Sequence, residues 1–259
     1  MLPVYKTICV EVLAAVNDVE LAVLREMLQK LIQSLNETIG DPRSPIFAEF
    51  MKYLMVTHLL LLKGEATKNG LTRVNAKLST SLLRYCKEIR SDKAFYDAGD
   101  ANRRDNNFDM AFIFFNRYID LYDAIEDPDN NGITDNAEFE ETDIPSPYDI
   151  ALPEKNFLSP AERDKIRDWV LEINMDGNVG QALPTRPCEK CNCELYEASL
   201  SCHQCKTTWE PCIITGYPLV KSQSMKCKFC NMGAIRDYWN DFVGVTQHCP
   251  WCNSMQTQY

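Results

Sequence analysis

Through the first half of the chain, apolar residues recur every three or four positions, the spacing that lines them along one face of an α-helix. Leu21, Leu24, Leu28, Leu31 and Leu35 follow this rule behind Asp18, whose carboxylate can cap a helix start, and Gly40, Asp41 and Pro42 end the run. Phe47 to Leu62 reads as a second, more strongly apolar helix with a stop near Gly64. Leu71 to Ile89 reads as a third, with Leu78, Leu82, Leu83 and Tyr85 as its packing stripe. His58 falls within the apolar helix and is expected to be satisfied inside the core and not to ligate. The longest apolar run, Tyr53 to Leu62, is interrupted by Thr57 and His58 and is too short to cross a bilayer, so no transmembrane segment is expected.

Residues 92–125 carry a more specific pattern. With Gly99 as the small residue of a first helix, Phe108, Ala111 and Phe115 fall where a tetratricopeptide (TPR) repeat places its second-helix aromatic, its small contact residue and its packing phenylalanine. Gly99 and Ala111 would let two helices approach closely while the aromatics fill the groove. Hairpins of this kind cannot bury their faces alone and stack into arrays, so residues 1–125 are expected to form a TPR-like helical-repeat (α-solenoid) domain. Such a domain offers grooved surfaces for scaffolding.

The helical pattern then breaks. Residues 126–158 comprise an acidic stretch and a proline-rich strap. Asp127, Asp129, Asn131, Gly132, Asp135 and Glu138 match a calcium-loop template, but Pro128 occupies its second position and Ile133 stands one residue early, so an acidic solvated loop is the favoured reading over Ca²⁺. The three prolines Pro145, Pro147 and Pro153 make 144–158 extended. Ser159, Pro160 and Glu162 form a capping box for a linking helix in 159–186, with Ile166, Trp169, Val170 and Ile173 on one face and Asp176 and Gly177 as its stop. Trp169 is expected to be docked.

Residues 187–259 introduce a different chemistry. Four CxxC pairs stand there: Cys188 with Cys191, Cys202 with Cys205, Cys227 with Cys230, and Cys249 with Cys252. A CxxC turn aims two thiolates at one ion, and two turns complete the tetrahedral S4 shell of structural Zn²⁺. Eight thiols therefore predict two closed zinc centres that hold a fold and leave no coordination position for substrate. Consecutive pairing would give zinc ribbons in series; cross-braced pairing would give a RING. A hairpin is suggested at Asn192 to Ser201 and another at Glu210 to Val220, followed by a helix over Ile235 to Val243, an order that resembles a RING or U-box. Cys193 and Cys212 are surplus and read as small buried side chains, with Cys212 an alternative ligand. His203 and His248 are expected to donate hydrogen bonds near thiolate sulfur.

Charge narrows the partners. The chain carries a formal net charge of −10, and within 187–259 basic and acidic residues balance, so the basic footprint of a nucleic-acid-binding finger is missing. MLPVYKTICVEV does not resemble a secretory signal, and thiol-rich sequence without one is expected in a reducing, cytoplasmic compartment.

Several segments, in order, carry a family resemblance: DKAFYDAG (Asp92 to Gly99), DMAFIFFNRYIDLYDAIED (Asp109 to Asp127), ETDIP (Glu141 to Pro145), RDWVLEINMD (Arg167 to Asp176), YEASL (Tyr196 to Leu200) and PCIITGYPL (Pro211 to Leu219). They resemble the C-terminal end of the largest subunit of intraflagellar transport complex B. The resemblance implies a train component of the cilium or flagellum and ciliary base, acting in cilium assembly and train turnaround through contacts with other complex B and complex A subunits. It also implies a U-box-like terminal module, which brings in an E2-dependent ubiquitin ligase or ubiquitin-binding role as the alternative. A ligase of that class has no catalytic residues of its own and engages E2 through an aliphatic residue in its first loop and a proline in its last. Pro250 fits the second requirement and Ile213 is a candidate for the first, whereas Glu189 and Lys190 fill the first knuckle and Asn253 and Ser254 stand where a linchpin arginine is usual.

Overall fold

Asn17, one residue ahead of the expected Asp18, caps the first long helix: its Oδ1 accepts from the amides of Val19 at 3.0 Å and Glu20 at 3.4 Å. The computed structural model describes residues 2–41, 44–127, 136–175, 177 and 179–259. Pro42, Asp176 and the calcium-template positions Asp129, Asn131, Gly132 and Asp135 lie outside them. Helix α1 is Leu2–Ala15, α2 is Asp18–Ile39 and α3 is Pro45–Lys68. Gly40 closes α2 at φ 64°, a left-handed turn that suits glycine. Ser44 Oγ accepts from Phe47 N at 3.2 Å, with Pro45 in the first turn of α3.

Helix α3 does not stop near Gly64 but continues to Lys68. A helical glycine costs about 1 kcal/mol. Burial of Leu62 and Ala66 on either side outweighs that. By length and composition α3 could cross a membrane. Here Leu54, Val56, Leu59 and Leu62 are core residues of the helical array.

The expected helix over Leu71 to Ile89 is shorter. α4 spans Thr72–Leu82, tightens into a 3-10 turn over Leu83–Tyr85, and the chain turns into α5, Ser91–Arg104. Leu83 and Tyr85 stay buried across the turn, so apolar spacing continues where the helix does not. α5 pairs with α6, Phe108–Glu126, at the predicted close approach. A Cβ built on Gly99 would lie 2.5 Å from Cδ1 of Phe115, and Ala111 and Phe115 are fully buried. Phe108 departs from expectation: it is 41% exposed and leans on Trp169 at 6.4 Å between ring centroids.

Each helix from α1 to α6 packs on the next, and α7, Pro160–Met175, lies on α6. Glu162 reaches back to the Ser159 amide at 3.0 Å, as a capping box requires. Trp169 docks edge-on against Phe115 at 5.4 Å. The strap is pinned by Phe157, which meets Tyr96 at 5.4 Å and Tyr118 at 6.0 Å.

Beyond α7 the chain makes two small antiparallel ladders. β1, Thr185–Pro187, pairs with β2, Glu194–Tyr196, in the register Thr185 to Tyr196; β3, Ser224–Lys226, pairs with β4, Gly233–Ile235, in the register Ser224 to Ile235. The first hairpin therefore closes around Cys188 and Cys191 and not over Asn192 to Ser201, because Thr185 to Pro187 supply its other strand. α8, Arg236–Thr246, follows β4. Ile213, Ile214, Trp239, Phe242 and Val243 join the core of the helices, whereas Cys188, Leu195 and Cys202 form a small separate cluster flanked by Trp209.

Candidate metal centres

One backbone turn is repeated at every CxxC pair. The amide of Cys188 donates to the Cys193 carbonyl at 2.8 Å, that of Asn192 donates to the Cys188 carbonyl at 2.9 Å, and Asn192 is left-handed at φ 59°. Cys202 to Thr207, Cys227 to Met232 and Cys249 to Ser254 repeat the first bond, with Lys206, Asn231 and Asn253 at φ 57°, 58° and 57°. Asparagine tolerates this conformation better than other non-glycine residues, which accounts for three of the four positions. The turn puts both thiols of a pair on one side of the knuckle.

The same turn is built a fifth time without a second cysteine. Cys212 N donates to Tyr217 O at 2.7 Å, Gly216 N donates to Cys212 O at 2.8 Å, and Gly216 is left-handed at φ 72°. Thr215 stands where the second thiol would be. The Cys212 sulfur accepts from the amides of Ile214 and Ile235, each at 3.3 Å, so it completes a turn and is no alternative ligand within either group of four thiols. Sequence reading missed this knuckle; its signal was a cysteine followed four residues later by glycine.

Space groups the knuckles consecutively. Cys188, Cys191, Cys202 and Cys205 form one tetrad and Cys227, Cys230, Cys249 and Cys252 the other, with all sulfurs of a tetrad within 4.8 Å of one another. Measured edges are 3.6 Å for Cys188 to Cys205, 3.7 Å for Cys191 to Cys202, and 3.9 Å for both Cys227 to Cys252 and Cys230 to Cys249. A tetrahedron with metal–sulfur bonds of about 2.3 Å has edges of about 3.8 Å. The donor sets therefore fit a tetrathiolate ion such as Zn²⁺.

Electrostatics divide each tetrad: Cys202, Cys205, Cys227 and Cys252 are shifted toward the thiolate, whereas Cys191, Cys230 and Cys249 are pushed up, the last two chiefly by burial. Backbone amide donation, led by Cys205, pulls the Cys202 thiol down to about 5. Burial opposes ionisation of Cys227, yet the amides of Cys230 and Phe229 bring it to about 7. Each centre also has an arginine beside it. Arg186 donates to the carbonyls of Glu197 and Ser199 and stacks on Trp209 at 4.1 Å. Arg25 donates to the carbonyls of Pro250 and Trp251, both at 2.7 Å. Burial lowers both guanidinium values, and neighbouring cysteine thiolates, Cys188 and Cys202 for Arg186, Cys249 and Cys252 for Arg25, work against that shift.

The metal-free knuckle and the last one are seated on the helices. His58 Nε2 lies 2.7 Å from Ile213 O, Ser81 Oγ donates to Thr215 O at 2.6 Å, and Arg84 Nη1 donates to Gly216 O at 2.9 Å. Trp251 meets the His58 ring edge-on at 4.8 Å. His58 is thus a satisfied core histidine, as expected, with burial pushing its value down to about 3. The other histidines differ from expectation. His203 faces Glu141 at 3.5 Å and His248 Nδ1 lies 2.7 Å from Thr246 O, so their partners are oxygens.

Consecutively stacked helices joined to a run of knuckle turns that gather eight thiols into two closed tetrads define a mainly helical protein with a cysteine-knuckle module. No family model matches the chain. Over about nine-tenths of its length, however, it is similar to curated proteins: 37% identical over 248 residues to intraflagellar transport protein 172 of Chlamydomonas reinhardtii, and 37% over 235 residues to the human intraflagellar transport protein 172 homolog. Caenorhabditis elegans intraflagellar transport protein osm-1 is 30% identical over 251 residues. The chain is related to the C-terminal region of the intraflagellar transport 172 family. It spans 14% of the Chlamydomonas protein and 13% of the human one.

Proposed function

We propose that this chain is a non-catalytic scaffold and adaptor within an intraflagellar transport train in the cilium, binding other complex B and complex A subunits, and that both tetrads hold structural Zn²⁺. The relatives' names support the transport role. The observation that carries the scaffold reading is the seating of the Cys212 knuckle, the third in chain order: Ile213 and Ile214 are fully buried against the helices, so the cysteine module and the helical array present one joined surface. Four thiolates per centre fill a tetrahedral shell, so bound zinc supplies cross-links between knuckles. Co-elution of the chain with purified complex B or complex A subunits in gel filtration tests the adaptor role; elution alone against every subunit of both complexes overturns it.

The alternative, an E2-dependent ubiquitin ligase, is favoured by one feature: from Pro211 onward the order of knuckle, hairpin, helix and knuckle resembles that of a RING or U-box. Against it, one of the two residues that would meet E2 is buried among the helices, and the backbone of the other is tied to one of them. Ile213 has no exposure, and the Pro250 carbonyl is held by Arg25. Autoubiquitination with purified E1 and a broad E2 panel decides: silence supports the scaffold, and chains that vanish on substituting Pro250 support the ligase.

A further inference from the structure

Cys193 gives the first centre a fifth sulfur that the second centre lacks. Its Sγ lies 3.3 Å from Cys191 Sγ and 3.3 Å from Cys202 Sγ, closer to each than those two ligands lie to one another. Thr207, Met232 and Ser254 end the other CxxC knuckles at the matching position, and none of them can form a disulfide. Cys193 is partly exposed and Cys191 exposed, so a small oxidant reaches this side of the centre from solvent. The surrounding cluster is small, which leaves little packing to hold the two knuckles together once a ligand is lost.

We propose that the first centre is a peroxide-responsive thiol switch in which Cys193 captures Cys202 and releases the metal. The proposal rests on the reading that the tetrads hold zinc. Cys193 is the attacking sulfur because it is the one thiol of the five outside the tetrad. Its thiolate attacks hydrogen peroxide: a sulfur–oxygen bond forms, the peroxide O–O bond breaks, and the departing hydroxide takes a proton to leave as water. The Cys202 thiolate then leaves the ion and attacks the sulfenyl sulfur of Cys193; a disulfide forms, the S–O bond breaks, and the hydroxide released takes a second proton from solvent and leaves as water. Two sulfurs have given two electrons to one peroxide. Cys202 is favoured over Cys191 as the partner because residues two apart within one tight knuckle cannot easily reach disulfide geometry, whereas Cys193 and Cys202 belong to different knuckles that face each other. Losing Cys202 removes a vertex of the tetrad, and the first and second knuckles lose their shared ion. The second centre has no spare thiol and keeps its ion.

The test uses the full chain, its zinc counted by elemental analysis before peroxide is added. Released zinc is followed with a chromogenic chelator, and disulfides are mapped by peptide mass spectrometry. The expected result is two zinc ions at the start, loss of one on peroxide treatment, a Cys193–Cys202 disulfide, and release roughly tenfold slower in Cys193→Ser. Cys193→Ala serves if the serine variant loads zinc poorly. Two zinc ions at the start with equal release from wild type and variant, joint loss of both ions, or a disulfide without Cys193 overturns the switch and leaves the zinc reading standing. A chain bare before peroxide sinks both.

Discussion

His58 Nε2 and the carbonyl oxygen of Ile213 stand 2.7 Å apart across 155 positions of sequence, joining α3 to the knuckle that carries no tetrad. The Nε2 proton must lie on this bond, because a carbonyl only accepts. Burial, with the Arg25 charge nearby, lowers the folded value to about 3 from an ordinary 6.5. A base depressed in the folded state takes up its proton on unfolding, so its contribution is complete above pH 6.5 and drains away as pH falls toward 3. At pH 5 the loss is about 2 kcal/mol. Denaturant midpoints measured between pH 7 and 5 should fall more steeply for wild type than for His58→Gln, which cannot titrate; parallel slopes would rule out this coupling.

Arg84 ties three separate segments. Its guanidinium donates to Asp143 Oδ2 at 3.1 Å, to Gly216 O at 2.9 Å and to Ala198 O, and its side chain is 6% exposed. Asp143 in turn accepts from the Leu200 amide at 2.9 Å. Arg84→Ala strips the partly buried Asp143 of its cationic partner, leaving it the Leu200 amide, and takes the Arg84 donor from two carbonyls; it should cost about 3 kcal/mol. Arg84→Lys should recover little of this, since one ammonium cannot reproduce three forked bonds. Urea denaturation of the two variants checks both statements.

Gly99 faces the Phe115 ring so closely that a methyl group has no room. In an exposed helix, glycine to alanine gains up to about 1 kcal/mol. Here overpacking should reverse the sign and cost a net 1–3 kcal/mol or so. If the ring is the cause, Gly99→Ala combined with Phe115→Leu should be less destabilised than the sum of the single variants. A thermal-melt double-mutant cycle reads this directly, and strict additivity would disprove the contact.

What was legible in the chain followed from local rules. The eight tetrad thiols were readable because CxxC geometry is set within one turn, and the Gly99 and Phe115 contact because helical spacing fixes which side chains meet. The break after Leu82 was hidden, since Leu83 and Tyr85 remain apolar and buried through the turn. The partner of β2 was misplaced because Thr185 to Pro187 show no alternation of their own; their role comes from the knuckle they enclose. Seating of the third knuckle on His58, Ser81 and Arg84 depends on pairings more than a hundred residues apart, and no periodicity records such distances.

The two centres should respond unequally to metal removal. Structural zinc contributes on the order of 10 kcal/mol to small modules that lack another source of stability. The knuckles of the first centre come nearer that description: their own cluster holds Cys188, Leu195 and Cys202, edged by Trp209, while Tyr196 and Ala198 between them pack into the helical core. Around the second, Trp239, Phe242 and Val243 belong to the same core as α3 and α4, and Arg25 and His58 grip the last knuckle from the helical side. Burying a large apolar side chain contributes about 1.5–3 kcal/mol, so three of them together with the seated third knuckle offset much of what the ion supplies. Chelation should therefore raise amide exchange first and most over the knuckles at residues 185–195 and 201–209, with 211–246 staying protected. Trp209 fluorescence cannot be separated from three other tryptophans, so hydrogen exchange read by mass spectrometry is the measurement; simultaneous exposure of both segments would mean that the helices lend the second centre no support.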